Sequence, residues 1–250
     1  PRGFDIEANE FDYKGMNKVI YQENGVTIRS YPAIHALDGP VSFSLEWNGL
    51  KFVFGGDTYP NKWYDEYAKN ADLAIHECFV SVMLYQWGHL DGREGTASGF
   101  IGQSIAAESS PKVSPVKARA RDFYAPNSED LAPDEMRLIA CGTGMPTARP
   151  KQAASCWLLE LGNGDKFIFD VGTGSAERIA ALQIPYNFLD KVFLSHLHTD
   201  HFGDLDALFV GGALAGRQKP LRVWGPSGET PERGTKYALD HLRKALTWDL

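Results

Sequence analysis

Long apolar runs are missing from this chain: nothing approaches the roughly 18 to 20 residues that a membrane-spanning helix requires, so no membrane partner is expected. Cysteine is scarce as well. The three residues Cys78, Cys141 and Cys156 show no CxxC spacing, which excludes a disulfide framework and leaves them as small buried hydrophobes. Surplus positive charge is also absent, with 25 Lys and Arg against 32 Asp and Glu and a formal net charge of -7. That balance disfavours nucleic acid as a partner, because neutralising a phosphate backbone calls for a broad basic footprint. One local basic run, residues 112–121, has little aromatic interleaving beyond Phe123 and Tyr124 and reads as a solvated surface. The opening Pro1-Arg2-Gly3-Phe4-Asp5 is neither a signal peptide nor a natural start, and the compartment stays unread.

What is present is the composition of an ordinary globular chain, with 250 residues, 43% hydrophobic and 23% charged, enough for one large layered domain. Residues 18–22, 26–31, 41–47 and 50–55 are rich in β-formers, and Asn48-Gly49 joins the last two as a hairpin, so the opening predicts an antiparallel β layer. A helix is expected over 61–70 and a short buried strand over 72–75. Residues 136–140, 156–161 and 166–170 form a second β group with a turn at Gly162-Asn163-Gly164. From there helix and strand alternate: helix 175–182, strand 191–195, helix 205–214, strand 221–224, then helix 231–248. The last helix is expected to be capped by Thr230, opened by Pro231 and packed through Leu239, Leu242 and Leu246. Two β halves with covering helices predict an α/β fold, a four-layer αββα sandwich. Residues 85–133, rich in Gly, Ser, Ala and Pro, read as an irregular connector between a first part, 1–84, and a last part, 134–250.

The chemistry concentrates in Ser195-His196-Leu197-His198-Thr199-Asp200-His201, directly after the apolar run Val192-Phe193-Leu194. In extended backbone His196 and His198 leave the same face and can grip one ion, while Asp200 and His201 lie past the bend where a helix begins. Without a cation to meet them, imidazole and carboxylate groups at the end of a buried strand would each cost several kcal/mol. His241 lies inside a helical pattern and reads as an ordinary surface histidine.

These residues resemble the HxHxDH motif of the metallo-β-lactamase superfamily, and Gly55-Gly56-Asp57-Thr58 resembles that family's later aspartate motif. Gly142-Thr143-Gly144-Met145-Pro146-Thr147, Phe169-Asp170-Val171-Gly172-Thr173-Gly174, Arg222-Val223-Trp224-Gly225-Pro226 and Ile75-His76-Glu77 are similar to the ribonuclease Z and arylsulfatase-like branch. The likeness touches most of the chain outside roughly residues 84–133. Motif order departs from the family, where HxHxDH precedes the aspartate motif. A circular permutation restores the order when the chain is read from Met136 to Leu250 and then from Pro1. The Pro1 opening and Leu250 end read as an engineered order, and domain exchange in a homodimer is the alternative.

The resemblance implies two zinc ions. His196, His198 and His35 would hold the first, Asp200 and His201 the second, with Asp57 bridging. His89 is the nearest candidate for the second zinc's remaining ligand, with a plain connector histidine an equal reading. His35 has the alternative of an ordinary loop histidine. Catalytic work falls on Asp200 and on His76, oriented by Glu77, with a buried strand-end histidine as the alternative for His76. Asp170 is expected to organise the loop beneath the metals, and Asp204 and Asp206, on the helix that follows the cluster, to face its start or solvent. Trp63, Tyr85, Trp87 and Phe202 are candidates for a substrate wall, with core packing the better reading for each. The implied activity is a hydrolase using zinc-bound hydroxide on small-molecule esters, lactones or organophosphate esters. A phosphodiesterase or tRNA 3′-end nuclease, and a weakened non-catalytic scaffold, remain as alternatives.

Overall fold

The computed structural model describes residues 2–76 and 131–250 apart from Met145 and Ala148. Its two compact units are Pro1–Gly15 with Arg119–Leu250, and Met16–Ala118. Among the described residues, no helix is long and apolar enough to cross a membrane.

The first unit is built on a six-stranded sheet of β1 (Ile6–Phe11), β7 (Met136–Gly142), β8 (Cys156–Leu161), β9 (Lys166–Phe169), β10 (Lys191–Phe193) and β11 (Leu221–Pro226), in the order β1-β11-β10-β9-β8-β7. Strands β9, β10, β11 and β1 run parallel, while β8 and β7 complete the sheet antiparallel. The continuous apolar runs of β9 and β10 suit strands buried on both faces: Phe167, Ile168, Phe169, Val192 and Phe193 are all fully buried. Each such side chain contributes about 1.5–3 kcal/mol. Helix α2 (Ala176–Ala181) is short, whereas α4 (Leu205–Leu214) buries Leu205, Leu208, Phe209, Gly212 and Ala213, the spacing of a single helical stripe.

Strand β1 was not expected from its sequence. It lies parallel to β11, with Ile6 opposite Leu221 and Phe11 opposite Pro226. Glu10 at its end accepts the backbone N–H of Lys236 at 2.8 Å, a cap for α5 (Thr235–Ala245) donated from the other end of the chain. The expected single helix over 231–248 is instead a 3₁₀ turn, Pro231–Arg233, followed by α5, because Gly234 between them takes an extended conformation with φ -91° and ψ 161°. Thr230 makes no side-chain cap there. Leu239, Leu242 and Leu246 do pack on the core, as expected.

In the second unit a five-stranded sheet runs in chain order through β2 (Lys18–Glu23), β3 (Val26–Pro32), β4 (Val41–Trp47), β5 (Leu50–Phe54) and β6 (Leu73–Ile75). The first four are antiparallel as expected, and β6 joins parallel to β5. Asn48 and Gly49 both have positive φ, 50° and 77°, the type I′ hairpin turn that their identities favour. Helix α1 (Lys62–Tyr67) starts where Asn61 accepts the N–H groups of Trp63 and Tyr64, each at 3.0 Å.

Candidate metal centre

In the first unit the chain leaves β10 at Leu194, whose N–H donates to Trp224 at 2.8 Å, and turns through the histidine cluster into α3 (Thr199–Phe202). His198 is the last extended residue, with φ -68° and ψ 150°, while Asp200 and His201 occupy the helical turn. His196 Nε2 lies 3.0 Å from His198 Nδ1, with ring centroids 4.6 Å apart, and the His201 ring is 4.1 Å from that of His196. Two nitrogens of a tetrahedral zinc site are about 3.3 Å apart when Zn–N is about 2.0–2.1 Å, so the first pair already has ligand spacing.

The arrangement is held by Asp170, fully buried just past β9 in the left-handed region at φ 59°. Its Oδ1 accepts the Ser195 N–H at 2.8 Å, and its Oδ2 accepts the Ser195 hydroxyl at 2.9 Å and lies 2.6 Å from His201 Nδ1. Burial pushes the Asp170 carboxyl above its ordinary range, opposed by His201 and Ser195. A proton on His201 Nδ1 shared with this carboxylate leaves Nε2 as the acceptor end of the ring. Ser195, which the motif analysis passed over, also meets His196 Nδ1 at 3.1 Å. Only its position before the first histidine could have drawn notice.

The loop and α3 are stitched together by the Val171 N–H to His201 carbonyl bond at 2.7 Å and the Asp204 N–H to Val171 carbonyl bond at 3.0 Å. A Cβ on Gly172 would stand 1.9 Å from the Asp200 carbonyl oxygen, so only glycine permits this approach. Contrary to expectation, Asp204 does not cap its own helix; its carboxylate accepts the N–H of Ala176 at the start of α2, while Asp206 accepts the Ala207 N–H.

The decisive atom for metal fit is Asp200 Oδ1. It is buried and has no hydrogen-bond partner among the described residues, while Oδ2 lies 3.5 Å from His201 Nε2. A buried carboxylate oxygen left unmatched costs several kcal/mol, a cost a divalent cation removes. Clustered imidazoles with a buried carboxylate beside His201 are donor types that suit zinc.

The second unit brings His35 and Asp57 together, Nε2 to Oδ2 at 3.8 Å, each side chain 21% exposed. The loops that carry them are tied by the Ile34 N–H to Thr58 hydroxyl bond at 2.9 Å and the Tyr59 N–H to Ile34 carbonyl bond at 2.8 Å. His76 follows β6, its ring edge-on to Tyr64 with centroids 4.7 Å apart. Trp63 packs with Tyr31, Val53 and Tyr64, and Phe202 packs on the first unit's core, so both serve packing. Cys141 and Cys156 are free and buried, and His241 stacks on Tyr237 at 4.0 Å. Cys78, Glu77, Tyr85, Trp87, His89 and the basic run at 112–121 lie outside the described residues.

The family model for the anti-Pycsar protein Apyc1 matches residues 136–224, the stretch containing the strands, the Asp170 loop and the histidine cluster. Curated relatives include ribonuclease Z of Mycobacterium marinum, 33% identical over 118 residues, 46% of this chain and 40% of that protein. Ribonuclease Z of Methanosarcina mazei is 30% identical over 93 residues, 37% of this chain and 30% of that protein. Over the matched stretches the chain is similar to these ribonuclease Z proteins. Among solved structures, it is similar to human tRNase Z, short form, at 26% identity and TM-score 0.37, covering 44% of this chain and 39% of that one. It spans about a third of the length of the curated relatives it matches, from 30% to 40% in these two. Those relatives are named as ribonucleases, which runs against the expectation that nucleic acid is disfavoured as a partner.

Proposed function

We propose that this chain is a zinc-dependent phosphodiesterase acting on nucleotide phosphodiesters, in place of the small-ester and lactone reading. The observation that carries it is the convergence of the His196, His198 and His201 rings at the end of β10, beside the buried Asp200, within the stretch matched to an Apyc1 family model. The names of the ribonuclease Z relatives supply the choice of phosphodiester. The proposed ligands are His196, His198 and His35 for one metal and Asp200 and His201 for the other, with Asp57 shared. The pairing of the two sets rests on the motifs. When bound, zinc lowers the pKa of a water toward neutrality and polarises a phosphoryl oxygen.

The chain's own residues would then do the following. Asp170 holds the His201 Nδ1 proton, Ser195 holds the His196 ring, and the Asp200 carboxylate oxygen that does not meet the metal would accept a hydrogen bond from the attacking water. His76 is proposed to donate a proton toward the leaving group. The test is metal analysis followed by a chromogenic panel of bis(p-nitrophenyl) phosphate, a phosphotriester, a p-nitrophenyl carboxylate and a lactone, with His198→Ala as control. Preference for the phosphodiester, lost in the variant, is the expected result. No metal after zinc reconstitution, or preference for the carboxylate or lactone, overturns the reading.

The permuted order is proposed alongside it. Read from β7 to β11 and then β1, every strand of the first sheet neighbours its predecessor, and the second sheet continues in sequence from β2 to β6. Domain exchange gives the same order. A monomer by light scattering that retains activity supports permutation, and an obligate dimer overturns it.

A further inference from the structure

Three exposed large apolar side chains of the second unit, the two most exposed among its described residues included, lie on the two loops that carry His35 and Asp57. Tyr59 is 65% exposed, Leu37 56% and Ile34 43%. Ile34 precedes His35 directly, and Tyr59 follows Asp57 by two residues. Folding leaves these groups in water although their backbone is firmly placed. The Tyr59 N–H donates to the Ile34 carbonyl at 2.8 Å, its carbonyl accepts from Asn61 Nδ2 at 3.0 Å, and Ala33 N–H closes the other loop on the Pro40 carbonyl at 3.0 Å. Thr58, 1% exposed, links the two loops through its hydroxyl. A rigid backbone bearing an exposed aromatic ring has lost its ordering entropy in advance, and a tyrosine has only two χ angles left to fix.

We infer that Tyr59, with Ile34 bonded to it through the backbone and Leu37 further along the same loop as Ile34, is the stacking platform for a nucleobase adjoining the scissile phosphodiester, which makes it a specificity-determining residue. The inference rests on the phosphodiester reading above. A phosphodiester held near His35 and Asp57 is followed by a sugar and then a flat base, and a base offers a π-face to an aromatic ring whatever its identity. The platform therefore confers preference for nucleotide over simple alkyl phosphodiesters, without base selectivity.

The test uses the whole zinc-loaded chain and the variants Tyr59→Ala, Tyr59→Phe and Leu37→Ser. Kinetics compare thymidine 5′-(p-nitrophenyl phosphate), which carries a base, with methyl p-nitrophenyl phosphate, which does not. Calorimetry measures binding of a phosphorothioate-linked dithymidine. Tyr59→Ala is expected to weaken dinucleotide binding and raise KM for the thymidine ester about tenfold, with kcat unchanged, because base–aromatic stacking is worth about 1–3 kcal/mol. The methyl ester should be unaffected, Tyr59→Phe should restore parent behaviour, and Leu37→Ser should fall between. Equal losses on both esters, or no loss on either, overturn the platform while the phosphodiester reading stands. A parent that cleaves neither ester overturns the phosphodiester reading and the platform with it.

Discussion

Replacing Asp170 with asparagine separates the holding of the histidine cluster from the folding of the strand beneath it. The substitution keeps the shape of the side chain, and asparagine tolerates the left-handed backbone found at φ 59° better than most residues. Its amide oxygen can still accept the Ser195 N–H, now made by Asp170 Oδ1 at 2.8 Å. The NH₂ group then faces His201 Nδ1, which Asp170 Oδ2 now meets at 2.6 Å. Facing a donor, the imidazole takes the other tautomer and carries its proton on Nε2, the nitrogen that would otherwise be offered to a metal. Losing such an orienting partner typically lowers metal affinity about 10- to 100-fold, or about 1.4–2.7 kcal/mol. The metal-free protein should respond differently. Burial already holds the Asp170 carboxyl above its ordinary range, so removing that buried charge offsets much of the lost hydrogen bonding. The expected outcome is a melting temperature without zinc within a few degrees of the parent, and zinc affinity one to two orders of magnitude weaker by competition with a chromophoric chelator. Unchanged zinc affinity in a folded Asp170→Asn protein would refute the reasoning.

Asp200→Asn should stabilise the metal-free chain by about 1 kcal/mol, because it removes a buried charged oxygen without a partner, while reducing the rise in melting temperature on adding zinc; scans with and without metal check both. Gly172→Ala should cost more than about 3 kcal/mol in urea unfolding, since its Cβ would stand 1.9 Å from the Asp200 carbonyl oxygen and both loops must move apart. Arg217, 2% exposed, donates to the carbonyls of Leu208, Phe209 and Gly3, so Arg217→Ala should cost about 3–5 kcal/mol and release the first residues to protease cleavage, read by mass spectrometry.

Much of the architecture was legible because its signals are local. Fully buried strands such as β9 and β10 announce themselves as apolar runs, and Asn48-Gly49 marks its hairpin through the left-handed conformation both residues accept. Strand β1 was invisible for the opposite reason: Ile-Glu-Ala-Asn-Glu-Phe is a sheet edge in which half-buried and exposed residues alternate only weakly, and its partner β11 lies some two hundred residues away. The division of 231–248 at Gly234 was missed because the helical stripe of leucines continues through it, and the cap on α5 comes from Glu10.

Residue type and spacing alone drew attention to His196, His198, Asp200 and His201 as one cluster, since the set is nearly contiguous and the backbone between its members is short. Tertiary structure decided how that cluster is held. Asp170 and Ser195 reach the histidines from another strand end and from the edge of the motif, and one Asp200 oxygen is left without a hydrogen-bond partner among the described residues by packing that no local pattern records. The exposed ring of Tyr59 belongs to the same class. Its exposure is a property of what fails to cover it, and a sequence lists neighbours along the chain but never those across space.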